Sequence, residues 1–240
     1  MQLPYLAYYD LIDEPYSTSP KPRFLYVSPT HNLALEKTRW TITARRGLAI
    51  CFGAVGTGKT TLAEQAVTHN KTLVLLIDEA QTLKPPLLEM LRQLMNYESN
   101  DQKFIQVVLF AQEDFRKRLQ HPRYTNLVNR TAMSSSIEAL SPTETAAMLK
   151  HRWWIASNGK DSFPFTDEAI NQLFTYSKGI PRTQIILAEN ALLASYLLQH
   201  KTIHAELIDQ VVKDRGLPDT QPEPEPQSIK RKMRKEGGKK

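Results

Sequence analysis

The chain is poor in the features that decide a protein's class most quickly. It has one cysteine in 240 residues, Cys51, so no internal disulfide can form. Within the apolar run LAICF that thiol reads as a small buried side chain. No apolar run approaches the roughly 20 residues that span a bilayer. The opening MQLPYLAYYD has neither the basic nor the apolar stretch of a secretory leader. A cytoplasmic protein without a membrane segment is the expectation. A charged body is lacking as well. The net charge is +6, but seven basic residues against one acid fall in 228–240, so the rest of the chain is close to balanced. Body charge therefore points to no partner. What remains is 41% apolar content, enough to bury a core in one large domain or two modest ones.

The most informative stretch is LAICFGAVGTGKTT, from Leu48 to Thr61. An apolar run, then GxxxxGKT, then a helix-forming segment is the strand, loop and helix context of a phosphate loop. Gly53, Gly56 and Gly58 let the backbone bend until its N–H groups converge, and the next helix aims its positive end at the same point. Gly53, Ala54, Val55, Gly56, Thr57, Gly58, Lys59, Thr60 and Thr61 would form this cup. Lys59 would reach the terminal phosphates as a point charge, and the Thr60 hydroxyl would take a magnesium position. The plain alternative is a glycine-rich turn with an exposed lysine.

Upstream, Pro4, Pro15, Pro20, Pro22 and Pro29 interrupt any long helix, which predicts an irregular arm packed down by Tyr8, Tyr9, Phe24 and Tyr26. Ser28 and Pro29 read as an N-cap and first helical position, with a helix running to Gly47. Downstream, LAEQAVTHN is helical, and KTLVLLIDEA is predicted as a buried strand ending in Asp78 and Glu79. Two carboxylates at a strand end after a phosphate loop look like a Walker B element. Asp78 would hold magnesium through water and Glu79 would polarise an attacking water; a solvated strand end is the bland alternative. An amphipathic helix is predicted over 84–96, then a third strand, FIQVVLFAQ. Gln112 ends that strand, either touching phosphate or water or serving as an ordinary strand-end amide. A charged helix, EDFRKRLQ, and a fourth strand, TAMSSSIEAL, follow.

From Ser141 the pattern is helical only. SPTE is a capping box, Thr166 caps a second helix, Pro181 of GIPR starts a third, and HAELIDQVVKDR is a fourth. The fold class is therefore α/β: a parallel P-loop sheet followed by a small helical unit. The division is an arm and helix over 1–46, a core over 47–140, a helical lid over 141–217 and a tail over 218–240. That tail alternates Pro and Glu, then turns basic. It reads as disordered, either a solvated terminus or a non-specific handle for phosphate backbones.

With GAVGTGKTT, LLIDEAQ, VVLFAQEDF and GIPR in order, the chain resembles the AAA+ ATPases of the ExeA/GspA type, a group that includes secretion-pathway ATPases and TnsC-like regulators of transposition. The opening EPYSTSPKPRFLYVSPTH is similar to that family's, so the resemblance covers roughly residues 5–215. It implies an ATP and Mg2+ site at Lys59, Thr60, Asp78 and Glu79, with Gln112 as sensor 1 and Arg182 as sensor 2. It places an arginine finger at Arg130, with Arg116, Arg118 and Arg123 as rivals; Arg130 and Arg182 also read as plain surface salt-bridge residues. An arginine supplied by a neighbour implies a homo-oligomer, a ring or filament, whose hydrolysis depends on assembly.

One departure stands out. Only 18 residues separate Lys59 from Asp78, where the family inserts a further helix, strand and helix. The sheet is expected to be one strand short at its edge, with hydrolysis, assembly and DNA contact all put in question. The expectations are, first, a regulatory ATPase acting on DNA, most plausibly with a transposase. Second comes a secretion-pathway ATPase with a secretion partner, and third a nucleotide-gated adaptor that does not hydrolyse.

Overall fold

The computed structural model describes residues 3–19, 21–66, 73–98, 103–160 and 162–216. The basic tail, and the end of the helix after the phosphate loop, lie outside the described residues.

The arm begins with a one-turn helix, α1 (Pro4–Tyr8), because Pro4 takes the first helical position and needs no N–H partner there. The chain then runs irregularly, as its prolines require, to α2 (Pro29–Thr43), capped by Ser28. Four parallel strands follow: β1 (Leu48–Gly53), β2 (Leu73–Ile77), β3 (Ile105–Ala111) and β4 (Thr131–Ile137), in the spatial order β2-β3-β1-β4. Between them lie α3 (Lys59–Ala66), α4 (Pro85–Leu94), α5 (Glu113–Leu119) and α6 (Thr125–Val128). The helical unit comprises α7 (Pro142–Ala156), α8 (Asp167–Ser177), α9 (Pro181–Leu197) and α10 (Ala205–Asp214). Its capping box is complete: the Ser141 hydroxyl accepts from Glu144 N–H, and the Glu144 carboxylate accepts from Ser141 N–H.

Alternation along β1 builds two cores at once. Leu48, Ile50 and Phe52 pack with Val107, Leu109 and Ala111 under α4, α5 and α6; Ala49 and Cys51 pack with Val108 and Phe110 under α2 and α3. Each fully buried Leu, Ile, Val or Phe among them contributes about 1.5–3 kcal/mol, so the middle of the sheet is firmly held. Cys51 is buried there, as its run suggested.

Two expectations need correcting. The strand predicted in KTLVLLIDEA is not buried: β2 is the outer strand, hydrogen-bonded among the described residues to β3 alone, with Leu73 65% and Leu75 36% exposed. Its apolar composition suits a strand covered on both faces, whereas its position leaves one edge and part of each face open. The arm, expected to be irregular and packed down by its aromatic side chains, carries one helical turn and packs on the helical unit. Tyr5, Leu6, Tyr9, Tyr16 and Phe24 share one core with Leu149, Trp153, Leu173 and Leu192, while Tyr8 and Tyr26 pack at its margin. Arg152 explains how so proline-rich a segment stays down. Its guanidinium donates to the carbonyls of Pro15 (2.6 Å), Ser17 (3.0 Å) and Phe24 (3.2 Å), satisfying three backbone groups that have no ladder to join. Burial lowers this guanidinium to about 10, which leaves it charged at neutral pH.

Candidate functional site

The phosphate loop emerges from the centre of the sheet, where β1 lies between β3 and β4. Gly56 and Gly58 adopt φ values of +81° and +94°, open to glycine at little cost. Contacts require them too. A Cβ on Gly56 would meet the Arg182 Cβ at 2.9 Å, and one on Gly58 would meet His31 Nε2 at 3.0 Å. The loop is therefore wedged between α2 and the start of α9. Thr57, fully buried, turns its hydroxyl onto the Ala54 carbonyl at 2.9 Å. Lys59 is 4% exposed and donates to the carbonyls of Gly53 and Ala54, both at 3.0 Å. The ammonium thus sits against the loop itself, with no carboxylate among its partners in the described residues.

The GIPR turn owes its place to Gly179. At φ +76° its Cα lies so close to the joint that a Cβ would fall 2.1 Å from the Leu140 carbonyl oxygen, and Leu140 N–H donates to the Gly179 carbonyl at 2.8 Å. This seats α9 with its Arg182 N–H donating to the Gly56 carbonyl at 3.3 Å.

The acids arrive from β2. The Thr60 hydroxyl donates directly to Asp78 Oδ2, which closes the gap between loop and strand end. Glu79 follows in the left-handed region, φ +51°, a conformation that costs a non-glycine residue on the order of 1–2 kcal/mol and needs its surroundings to hold it. Those surroundings are two amides. Gln81 Nε2 donates to Glu79 Oε2, and Gln112 Nε2 donates to the same oxygen at 3.1 Å. Gln81 Oε1 accepts in turn from Gln112 N–H at 3.2 Å, tying the acid to the end of β3. Arg118 holds the turn from below, donating to the carbonyls of Gln81 (3.0 Å) and Leu83 (2.6 Å).

These groups border a cavity of about 350 Å³. Its lining is the loop from Val55 to Thr61 with Glu79, then Thr18, Leu25 and Tyr26 of the arm, His31 of α2, Leu140 at the joint, and Met148, Arg152, Pro181, Arg182 and Ile185 of the helical unit. The polar loop and the apolar side chains of Leu25, Leu140, Met148 and Ile185 suit a ligand with a phosphate end and a flat apolar end. Thr60 and Asp78 together offer a hydroxyl and a carboxylate, hard oxygen donors that fit magnesium. Among the described residues no cluster of three or more His, Cys, Asp or Glu side chains could hold a metal alone.

Of the residues singled out in the sequence, the loop, Lys59, Thr60, Asp78, Glu79, Gln112 and Arg182 are brought together. Arg130 is not among them. It precedes β4 at the end of the sheet where Leu48 pairs with Thr131, away from Gly53, which pairs with Ile137. There it adds to the pull of Arg92 on Glu89 and of Lys103 on Glu98, holding both carboxyls low. Among its rivals, Arg118 is committed to the turn already described. Arg116 is committed to Glu113 at 2.8 Å, to Ser136 at 2.6 Å and to the face of Phe52. Sequence reasoning passed over His31, Gln81 and Arg152. The one local signal was the SPTH run, where the Ser28 cap brings His31 onto the first turn of α2.

An AAA domain matches residues 62–119, from α3 through α5. General secretion pathway protein A of Aeromonas hydrophila is 28% identical over 259 aligned positions, covering 85% of this chain and 47% of the relative. The chain therefore spans about half that protein's length. The alignment is longer than the chain's own 240 residues, so the relative carries positions that have no counterpart here. Solved structures share the fold. The Aeropyrum pernix ORC2 protein, seen in ADPNP–ADP complexes, superposes with a TM-score of 0.63 at 13% identity over 85% of this chain and 72% of that one. Cdc6p of Pyrobaculum aerophilum gives 0.64 at 14% identity over 85% and 71%. The RuvB Holliday junction branch migration motor of Thermotoga maritima gives 0.56 at 17% identity over 78% and 72%.

Proposed function

We propose that this chain, an AAA+ P-loop protein of the general secretion pathway protein A type, binds magnesium-complexed ATP in the cavity between loop, β2 end and helical unit and hydrolyses it as a regulatory ATPase. The observation that carries the reading is the direct bond from Thr60 to Asp78, with Glu79 beside them on the same cavity as Gly56–Thr61. Phosphate recognition would fall to the loop amides, Lys59 and Arg182, and magnesium to Thr60 and Asp78. Held by these two residues, magnesium would supply charge neutralisation to the phosphate chain. Glu79 would orient the attacking water, and Gln112 would keep that acid beside the terminal phosphate. The apolar side chains of the cavity would take the base.

Assembly into a ring or filament, with Arg130 or Arg123 reaching a neighbour's phosphates, belongs to the same proposal. Action on DNA does too; it draws support from the fold shared with a Holliday junction motor and with the Drosophila ORC, solved bound to DNA. The name of the curated relative favours a secretion-side partner over a transposase as the first to try.

Phosphate release by the wild type and by Glu79→Gln, with and without duplex DNA, tests the reading. Losing the acid should lower turnover by about a hundredfold or more while ATP binding persists. Equal rates for both proteins in both conditions would overturn hydrolysis. Strong binding without turnover would leave the nucleotide-gated adaptor.

A further inference from the structure

Two successive carbonyls of the phosphate loop are tied from opposite sides. Gly56 O accepts from the Arg182 N–H, as described above, and Thr57 O lies 2.6 Å from His31 Nε2. A carbonyl oxygen can only accept, so Nε2 carries a proton. The other ring nitrogen, Nδ1, is 2.7 Å from Ser28 Oγ, and that oxygen also accepts from the His31 backbone N–H as the helix cap. The Ser28 hydroxyl proton is thus available to Nδ1. His31 is 5% exposed, and burial holds its imidazole below the ordinary value, which keeps the ring neutral at pH 7. One tautomer satisfies every partner: hydrogen on Nε2, lone pair on Nδ1.

A trans peptide sets its C=O and N–H on opposite sides, and no cis peptide occurs among the described residues. Fixing the Thr57 carbonyl toward α2 therefore fixes the Gly58 N–H in the opposite direction. Glycine at 58 makes this peptide unit easy to rotate, since Gly accepts either sign of φ. Nothing in the local sequence would select one orientation.

We propose that His31 is a positioning residue of the cradle, holding the Thr57–Gly58 peptide so that the Gly58 N–H faces the phosphate side. The proposal rests on the nucleotide reading of the site. Without the imidazole the peptide samples both orientations, and the cradle presents one donor fewer to an anion. The N-terminal helix is in this way part of the binding site, whose cavity His31 also lines.

His31→Leu removes the donor; His31→Gln keeps an amide N–H of comparable reach. In the absence of nucleotide, hydrogen exchange of the loop over 54–58 should quicken in the leucine variant and stay near wild type in the glutamine one. The Kd for Mg-ATP should rise about tenfold in His31→Leu, the weight of one lost hydrogen bond, and recover to within about threefold in His31→Gln. Unchanged loop exchange or unchanged affinity in a folded His31→Leu protein would overturn the proposal. If the wild type fails to bind ATP, the nucleotide reading falls, and loop exchange still decides whether His31 holds the peptide. Should the leucine variant not fold, nitrogen NMR of wild-type His31 decides. A proton on Nε2 supports the proposal, and a proton on Nδ1 overturns it.

Discussion

The phosphate loop and the β2 strand each carry half of one site, and the molecule holds them very differently. The loop grows from the middle of the sheet, and α2 and α9 each bond one of its carbonyls. The acids ride on an outer strand bonded on one side only, with Leu73, Leu75 and the nearby Phe104 open to solvent. Elements with fewer buried contacts open locally at lower cost. The cradle for phosphate should thus tolerate damage that displaces Glu79, and binding should be more robust than turnover. Only 18 residues separate Lys59 from Asp78, and among the described residues no strand lies outside β2.

The strongest challenge to the robust half is Arg152→Met. It strips three arm carbonyls of their donor and loosens the segment that brings Thr18, Leu25 and Tyr26 to the cavity. A loss of about 3 kcal/mol or more in urea denaturation is expected. A loss below about 1 kcal/mol would mean the arm is held by its tyrosines and Phe24 alone.

Arg118→Ala addresses the weaker half, because Arg118 supports the turn that aims Glu79. Turnover should fall about tenfold and nucleotide affinity less than about twofold. Equal losses in both would show that the two halves are not separable. The smallest effect is expected from Leu75→Lys. A charge on an exposed edge position should alter stability by less than about 1 kcal/mol, and it should suppress any concentration-dependent self-association seen in sedimentation. A large loss of stability would mean that this edge is covered in solution.

Much of this was legible from local chemistry. Glycine spacing, the SPTE box, the Ser28 and Thr166 caps and the Asp-Glu pair each act within a few residues, and each lies where its motif put it. The edge position of β2 was not legible, because LVLLI has the same apolar composition whether its neighbours are present or lost. The arm's destination was hidden for a related reason. Prolines say where helices stop, but Arg152, more than a hundred residues later, decides where the segment goes. Gln81 escaped notice, and Arg118 was singled out for a different role, because their work is done on backbone atoms and amides across the sheet end. Arg130 shows the converse: its position was legible as a motif, and the fold sets it at the far end of the sheet, near Glu89 and Glu98.

Calorimetric titration of Mg-ATP into the purified protein tests the central claim most directly, run alongside Lys59→Ala and a magnesium-free control. The account predicts saturable one-to-one binding by the wild type, weakened at least about tenfold without the lysine and also weaker without the metal. Identical heats for wild type and Lys59→Ala would contradict it.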